Sequence, residues 1–223
     1  MNKTRVLVVD DHPFFRNGII QWLNQQETLT CCSEAGTVAE ARRAVAELRP
    51  DVVLLDLRLG DGDGLDLIRE LSETHPQTRI VALSQLDEDT YAHRALRAGA
   101  RGYVMKSEAT ETALSAIQTA LSGETYVSRR VAARLTHNLF PDPASSSPEL
   151  ARLSDRELQV FQLLGSGSST REIAERLKIS PKTVETYREH LKEKLRLPDG
   201  AALMRAATLW VEKGQLDNGP RER

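Results

Sequence analysis

The first 125 residues alternate short apolar runs with segments of helical spacing, and this alternation constrains the fold more than any other feature. Clear apolar runs lie at 5–9, 51–55, 79–83 and 102–105, and a weaker one lies at 28–35. Segments with apolar residues at helical spacing follow them, at about 13–23, 38–48, 65–71, 87–98 and 110–121. Strands this short and apolar, alternating with helices, predict a parallel sheet covered on both faces. We therefore expect an α/β, doubly wound, five-stranded parallel sheet.

The remainder of the chain has a different pattern. The stretch 140–148 reads FPDPASSSP, and its prolines and serines are typical of a linker. Beyond it, residues 150–216 carry helical patterns only, which predicts an all-α domain. We expect a first domain at 1–125, a linker with a possible short helix at 126–149, the helical domain at 150–216 and a tail at 217–223.

Charge is divided unevenly between these parts. Residues 1–125 hold 13 Lys and Arg against 19 Asp and Glu, a net charge of −6, whereas residues 126–223 hold 17 against 13, a net charge of +4. A basic half is compatible with nucleic acid as a partner. No apolar run approaches the ~20 residues that span a bilayer. We expect a cytoplasmic protein without a membrane partner.

Acidic residues follow two of the predicted strands. Asp10 and Asp11 end the first strand, and Asp56 ends the third. The carboxyl ends of neighbouring parallel strands form the usual ligand site of such sheets. Three carboxylates this close raise one another's pKa values unless a positive charge lies among them. Hard oxygen ligands suit Mg²⁺, so we expect a divalent cation here, although such acids also serve as N-caps of the following helices.

Two further residues complete this predicted pocket. Ser84 ends the fourth strand, and Lys106 follows the fifth. A hydroxyl and an ammonium group can bind the oxygens of a phosphoryl group held beside the metal. Asp56 would then be free to attack phosphorus and form an acyl phosphate.

The motifs VLVVDDHP, VVLLDLRL, ALS and VMKS, in this order, resemble the receiver domain of two-component response regulators over residues 4–122. The resemblance implies a flavodoxin-like fold and phosphorylation of Asp56 by a sensor histidine kinase. It implies a Mg²⁺ site made by Asp10, Asp11, Asp56 and the backbone carbonyl of Arg58. It also implies that Ser84 and Lys106 contact the phosphoryl group, and that Ser84 and Tyr103 act as the switch pair.

The loop after Asp56 departs from the family pattern. It reads LRLGDGDGLD at 57–66, without the usual proline. A dinucleotide site is disfavoured because the spacing is G-x-G-x-G and two carboxylates would face a pyrophosphate. A calcium loop is disfavoured because no glutamate completes the twelve-residue pattern.

The helical half also resembles a known class. The run LSDRELQVFQLL…STREIAERLKISPKTVETYREHLKEKL, at 153–195, is similar to the DNA-binding domain of the LuxR/NarL/FixJ class. The resemblance implies a helix-turn-helix whose recognition helix covers 181–195. Val184, Leu191 and Leu195 lie on one helical side and are expected in the core. The expected DNA contacts are Lys182, Thr183, Val184, Thr186, Tyr187, Arg188, Lys192 and Lys194.

Together these patterns predict a phosphorylation-controlled transcriptional regulator rather than an enzyme. The expected partners are a sensor histidine kinase, double-stranded DNA with an inverted repeat, a second copy on activation, and RNA polymerase. A phosphatase of the haloacid-dehalogenase type would need a second aspartate where Arg58 stands. A phosphate-independent DNA-binding protein with a degenerate receiver remains the alternative.

Overall fold

The computed structural model describes residues 3–139, 149–177 and 179–216. The chain divides into two compact units, Met1–Phe140 and Pro141–Arg223, which are described separately. No helix in the described ranges is long and apolar enough to cross a bilayer.

The first unit is built from alternating strands and helices. Its strands are β1 (Thr4–Val9), β2 (Leu29–Ala35), β3 (Val52–Leu55), β4 (Arg58–Leu59), β5 (Gly62–Asp63), β6 (Arg79–Ser84) and β7 (Gly102–Met105). Its helices are α1 (Pro13–Gln25), α2 (Val38–Leu48), α3 (Gly64–Thr74), α4 (Glu88–Ala98), α5 (Ala109–Leu121) and α6 (Arg129–Leu139). Every strand and helix predicted in residues 1–125 is present.

Five of these strands form one parallel sheet in the order β2-β1-β3-β6-β7. The central strand β3 is fully buried, which explains why its sequence is a continuous apolar run. Since β1 and β3 are paired in register, with Val9 opposite Leu55, the residues that follow them lie side by side. The predicted doubly wound sheet is confirmed.

The loop after Asp56 forms a small antiparallel hairpin, β4–β5, which the sequence did not indicate. Gly64 follows it, where the start of α3 lies directly against the backbone of Asp56 and Leu57. A Cβ added to Gly64 would lie 2.4 Å from the Cα of Leu57, so only glycine fits.

The segment 126–139 is part of the first unit, whereas the sequence suggested a linker with a possible short helix from residue 126. Tyr126 forms a parallel bridge to Gly102 at the edge of β7, and its carbonyl accepts a 3.1 Å hydrogen bond from the Tyr103 amide. Helix α6 packs against α4. The proline- and serine-rich stretch 140–148 lies outside the described residues.

The second unit is helical where it is described. After a short 3₁₀ turn at Glu149–Arg152 come α7 (Asp155–Gly165), α8 (Thr170–Leu177), α9 (Pro181–Lys194) and α10 (Gly200–Leu216). Ser154 caps α7 in a capping box with Glu157, and Ser180 caps α9, which has Pro181 in its first turn. Helices α7 and α10 pack closely where Gly165 meets Ala207, because a Cβ on Gly165 would lie 2.3 Å from the Ala207 carbonyl oxygen.

Candidate functional site

The carboxylates predicted to meet at the edge of the sheet do meet. Asp10 and Asp56 are buried, and Asp11 is partly exposed. One potential ligand atom from each of Asp10, Asp11, His12 and Asp56 lies within 4.8 Å of the others. This set of residues is called the acidic pocket below.

Lys106 lies inside the acidic pocket and balances its charge. Its Nζ is 2.6 Å from Asp10 Oδ2 and 2.7 Å from Asp56 Oδ2, and it lies 4.7 Å from the centroid of the Phe15 ring. Burial raises the pKa of Asp56, the Lys106 ammonium lowers it, and the nearby Asp10 carboxylate raises it; the net pKa is above the usual value. Lys106 therefore compensates only part of the cost of holding Asp56 ionised.

The donors of the acidic pocket fit a hard divalent cation. Asp11 Oδ1 is buried and accepts no hydrogen bond from the described residues, although His12 Nδ1 lies 2.7 Å away without hydrogen-bond geometry. Asp10 Oδ1 accepts a 2.9 Å hydrogen bond from the His12 amide. An unsatisfied carboxylate oxygen beside two further carboxylates is a donor set suited to Mg²⁺. The Arg58 carbonyl stays a prediction as a fourth donor; the Arg58 amide donates to Asp56 Oδ1 at 3.1 Å.

Ser84 and Tyr103 lie close to each other beside the pocket. Ser84 is fully buried, and its Oγ accepts a 3.2 Å hydrogen bond from the Leu86 amide. The Tyr103 hydroxyl donates to the Leu86 carbonyl at 2.7 Å. Burial raises the pKa of Tyr103 well above its usual value, although a hydrogen bond with Ser84 opposes the rise. The ring of Tyr103 thus points inward, and both side chains hold the same loop residue.

Sequence reasoning missed two residues beside the acidic pocket, Arg16 and Phe15, and one contact made by the loop after Asp56. Arg16 donates from Nη1 to the Asp10 carbonyl at 2.6 Å. The Phe15 ring lies beside the Lys106 ammonium. In the loop after Asp56, both carboxylate oxygens of Asp61 accept from the Val38 amide at the start of α2, at 2.9 and 3.1 Å. Arg16 follows Asp10 by six residues at the start of a helix, but the sequence alone does not show that its side chain turns back to the strand end.

In the second unit, α9 exposes most of the residues predicted to contact DNA. Lys182 and Thr186 are exposed. Four further side chains of this set are partly exposed: Thr183, Tyr187, Arg188 and Lys192. Val184 is fully buried, so its predicted DNA contact is wrong and its predicted place in the core is right. Lys194 donates to the buried Glu157 at 2.7 Å, so its ammonium already binds a carboxylate of the same unit.

Comparison with protein families agrees with this division. Residues 6–118 match the family described as response regulator receiver domain, and residues 151–207 match that described as bacterial regulatory proteins, luxR family. The oxygen regulatory protein NreC of Staphylococcus epidermidis is 34% identical over 209 residues, covering 91% of this chain and 96% of NreC. The response regulator GacA of Pseudomonas viridiflava is 35% identical over 213 residues, covering 96% and 98%.

Solved structures give the same result. The RcsB response regulator of Salmonella typhimurium aligns with a TM-score of 0.73 at 26% identity, covering 95% of this chain and 99% of RcsB. RcsB of Salmonella enterica serovar Typhimurium bound to promoter rprA with phosphomimetic BeF3⁻ aligns with a TM-score of 0.70 at 26% identity, covering 93% and 99%. The chain belongs to the two-component response regulators that join a receiver domain to a luxR-type DNA-binding domain.

Proposed function

We propose that this response regulator is switched by phosphorylation of Asp56, and that the phosphorylated form dimerises and binds an inverted-repeat DNA site to control transcription. The observation that carries the proposal is the position of Lys106 Nζ, within 2.7 Å of both the Asp56 and the Asp10 carboxylates in a buried pocket. Phosphoryl transfer here is a switching step on the protein itself, so we propose no turnover of a separate substrate.

Each pocket residue has a chemical task in this proposal. An oxygen of Asp56 forms the new bond to phosphorus while the bond from phosphorus to the imidazole nitrogen of a sensor histidine kinase breaks. Asp10 and Asp11, with Asp56 and the Arg58 carbonyl, would hold Mg²⁺, which when bound offsets the negative charge of the phosphoryl oxygens. Lys106 and Ser84 bind those oxygens by a charge-assisted and a neutral hydrogen bond.

The switch pair supports a route from the pocket to α6. Ser84 and Tyr103 both hold Leu86, which lies three residues before Asp89 in α4. Asp89 forms an ion pair with Arg130 of α6, the last helix before the second unit. We propose that movement of Ser84 toward the phosphoryl group shifts the start of α4 and breaks the Asp89–Arg130 ion pair, which releases α6.

Helix α9 is the proposed recognition helix. Its proposed DNA-contact residues, without the fully buried Val184, are Lys182, Thr183, Thr186, Tyr187, Arg188, Lys192 and Lys194. The net charge of +4 over 126–223 supports an electrostatic contribution to DNA binding. Leu209 of α10 is 57% exposed, which supports α10 as the contact between two copies on DNA. RNA polymerase as a further partner stays a prediction.

The test is covalent labelling of the full chain. Incubation with acetyl phosphate and Mg²⁺, followed by intact-mass measurement, is expected to add one phosphoryl group to the wild type and none to Asp56→Asn. Asp66→Asn is the matched control, because Asp66 pairs with Arg69 on the surface of α3 and is expected to leave labelling unchanged. Labelling that persists in Asp56→Asn would place the phosphoacceptor elsewhere.

A further inference from the structure

We propose that Arg16 is a positioning residue for the acidic pocket, because its guanidinium fixes the peptide bond between Asp10 and Asp11 and so sets the affinity of the pocket for its divalent cation. The inference rests on the proposed function, in which the acidic pocket binds a cation during phosphorylation of Asp56.

The side chain of Arg16 joins the pocket to a neighbouring strand. From the first turn of α1, its Nη1 donates a 2.6 Å hydrogen bond to the Asp10 carbonyl. Its Nε donates a 2.8 Å hydrogen bond to Glu34 Oε2 in β2. The Arg16 side chain is only 17% exposed, against 51% for Glu34. The hydrogen bond to the carbonyl is therefore the better shielded of the two, and the Glu34 pair orients the guanidinium.

These contacts hold the backbone of Asp10 from both sides. The Asp10 amide donates to the Ala35 carbonyl at 3.0 Å, and the Asp10 carbonyl accepts from Arg16. That carbonyl belongs to the planar peptide unit that also contains the amide and Cα of Asp11. Fixing the oxygen therefore fixes the positions of the Asp11 amide and Cα. Rotation about the Asp11 N–Cα bond is then the remaining freedom, and the His12 amide, which donates to Asp10 Oδ1 at 2.9 Å, restrains it from the other side.

Asp11 depends on this backbone support more than Asp10 or Asp56 does. The buried Lys106 holds the side chains of Asp10 and Asp56. Asp11 Oδ1 accepts no hydrogen bond from the described residues, and the His12 imidazole that lies 2.7 Å from it is largely exposed. Residues that orient a metal ligand through hydrogen bonds affect metal affinity strongly, typically by about 10–100-fold on mutation. Arg16 meets that description for Asp11, acting through the peptide bond.

The sign of the effect separates positioning from simple electrostatics. A positive charge near the pocket repels a cation, so Coulomb's law alone predicts tighter Mg²⁺ binding when Arg16 is neutralised. Positioning predicts weaker binding. Lysine keeps the charge but has one ammonium in place of the planar guanidinium that donates to two acceptors at once. Positioning therefore predicts that Arg16→Lys also weakens binding, whereas electrostatics predicts no change.

The experiment is a calorimetric Mg²⁺ titration of the full chain in wild-type, Arg16→Met, Arg16→Lys and Arg42→Met forms. Arg42 is the matched control, because it forms a comparable ion pair with Glu70, at 2.6 Å, between α2 and α3. We expect Arg16→Met to lose about tenfold in Mg²⁺ affinity, Arg16→Lys to lose less, and Arg42→Met to match the wild type. Thermal unfolding in a chelator separates loss of affinity from loss of stability.

Unchanged or tighter Mg²⁺ binding in Arg16→Met would overturn the inference, and so would an equal loss in Arg42→Met. If Arg16→Met does not fold, the Mg²⁺ titration of Arg16→Lys tests the inference by itself, and an affinity equal to that of the wild type overturns it. A wild type that binds Mg²⁺ but is not labelled at Asp56 would overturn the proposed function and leave the role of Arg16 in cation binding standing. A wild type that binds no Mg²⁺ would overturn both.

Discussion

Lys194 Nζ lies 2.7 Å from Glu157 Oε2, and this ion pair joins the last turn of α9 to the first turn of α7. Glu157 is 3% exposed, and the same oxygen accepts a 2.7 Å hydrogen bond from the Ser154 amide. One carboxylate thus completes the capping box of α7 and holds the end of the proposed recognition helix. The Lys194 side chain is 41% exposed, so its predicted contact with DNA stays a prediction beside this internal support.

The Glu157 carboxylate makes the stability of the second unit depend on pH. Burial alone would raise the pKa of Glu157. The hydrogen bonds from Lys194 and Ser154 together lower it by more than burial raises it, so the net pKa is below the usual value. Its stabilising effect is full above the usual carboxyl pKa and is lost as the pH falls through the lowered, folded-state value. We expect Glu157→Gln to cost about 1–2 kcal/mol at pH 7, with the difference from wild type shrinking in acid.

Denaturant unfolding followed by Trp210 fluorescence measures this cost, because Trp210 of α10 packs on Phe161 of α7 with ring centroids 5.7 Å apart. A Trp22→Phe background removes the other tryptophan. Glu172→Gln is the control, since Glu172 is an exposed capping carboxylate of α8 whose pKa is lowered by Ser169 hydrogen bonds. An equal loss in both variants would show that capping alone, without Lys194, accounts for the effect.

Removing the Lys106 ammonium is expected to destabilise the first unit. Lys106→Met leaves the buried Asp10 and Asp56 carboxylates facing each other without a cation, and breaking a buried ion pair in this way costs about 3–5 kcal/mol. Mg²⁺ is expected to restore part of the loss. Unfolding followed by Trp22 fluorescence, with and without Mg²⁺, checks this, and the exposed Lys3→Met serves as control. A Lys106→Met chain as stable as the control would contradict the charge balance described for the pocket.

The contact between α7 and α10 leaves no room at Gly165. Gly165→Ala places a Cβ 2.3 Å from the Ala207 carbonyl oxygen, so the helices must separate, at a cost of about 1–3 kcal/mol. Gly18→Ala is the matched control in α1, where nothing lies within 4 Å of the added Cβ, and it is expected to stabilise by up to about 1 kcal/mol. Thermal unfolding is expected to show a lower midpoint for Gly165→Ala and a higher midpoint for Gly18→Ala than for the wild type. A stabilised Gly165→Ala chain would contradict the close approach.

The ion pair between Arg130 and Asp89 is expected to restrain α6. Arg130→Ala should speed amide exchange in α6 of the unphosphorylated chain and raise its DNA affinity, by about fivefold at most because Arg130 is an exposed partner. Arg129→Ala is the control, as Arg129 is the exposed neighbour in the same helical turn. Exchange that is identical in both variants would remove this ion pair from the proposed route.

Local sequence patterns predicted the sheet and the polar ends of its strands. The apolar runs that became β1, β3, β6 and β7 place Asp10, Asp56, Ser84 and Lys106 at one edge, and the pairing of parallel strands then brings them together. The capping residues Ser154 and Ser180 likewise mark their helices because an N-cap bond is made within one turn.

Contacts between segments distant in the chain were not predictable in the same way. Helix α6 packs on α4 with an ion pair between Arg130 and Asp89, which lies 41 residues earlier, and the composition of 126–139 does not encode that pairing. The turn of the β4–β5 hairpin is joined to α2 by a hydrogen bond from the Val38 amide to Asp61, 23 residues away. Charge alone also could not show that Lys194 forms an ion pair with Glu157 across the unit.

The central claim, that the acidic pocket controls the DNA-binding half, is tested most directly by measuring mass and DNA affinity together. Light scattering and binding to an inverted-repeat probe would be recorded for wild type and Asp56→Asn, with and without Mg²⁺ and beryllofluoride. We predict a shift to dimer with tighter DNA binding in the wild type and neither change in Asp56→Asn. Wild-type protein whose mass and DNA affinity do not respond would contradict the account and favour a phosphate-independent regulator.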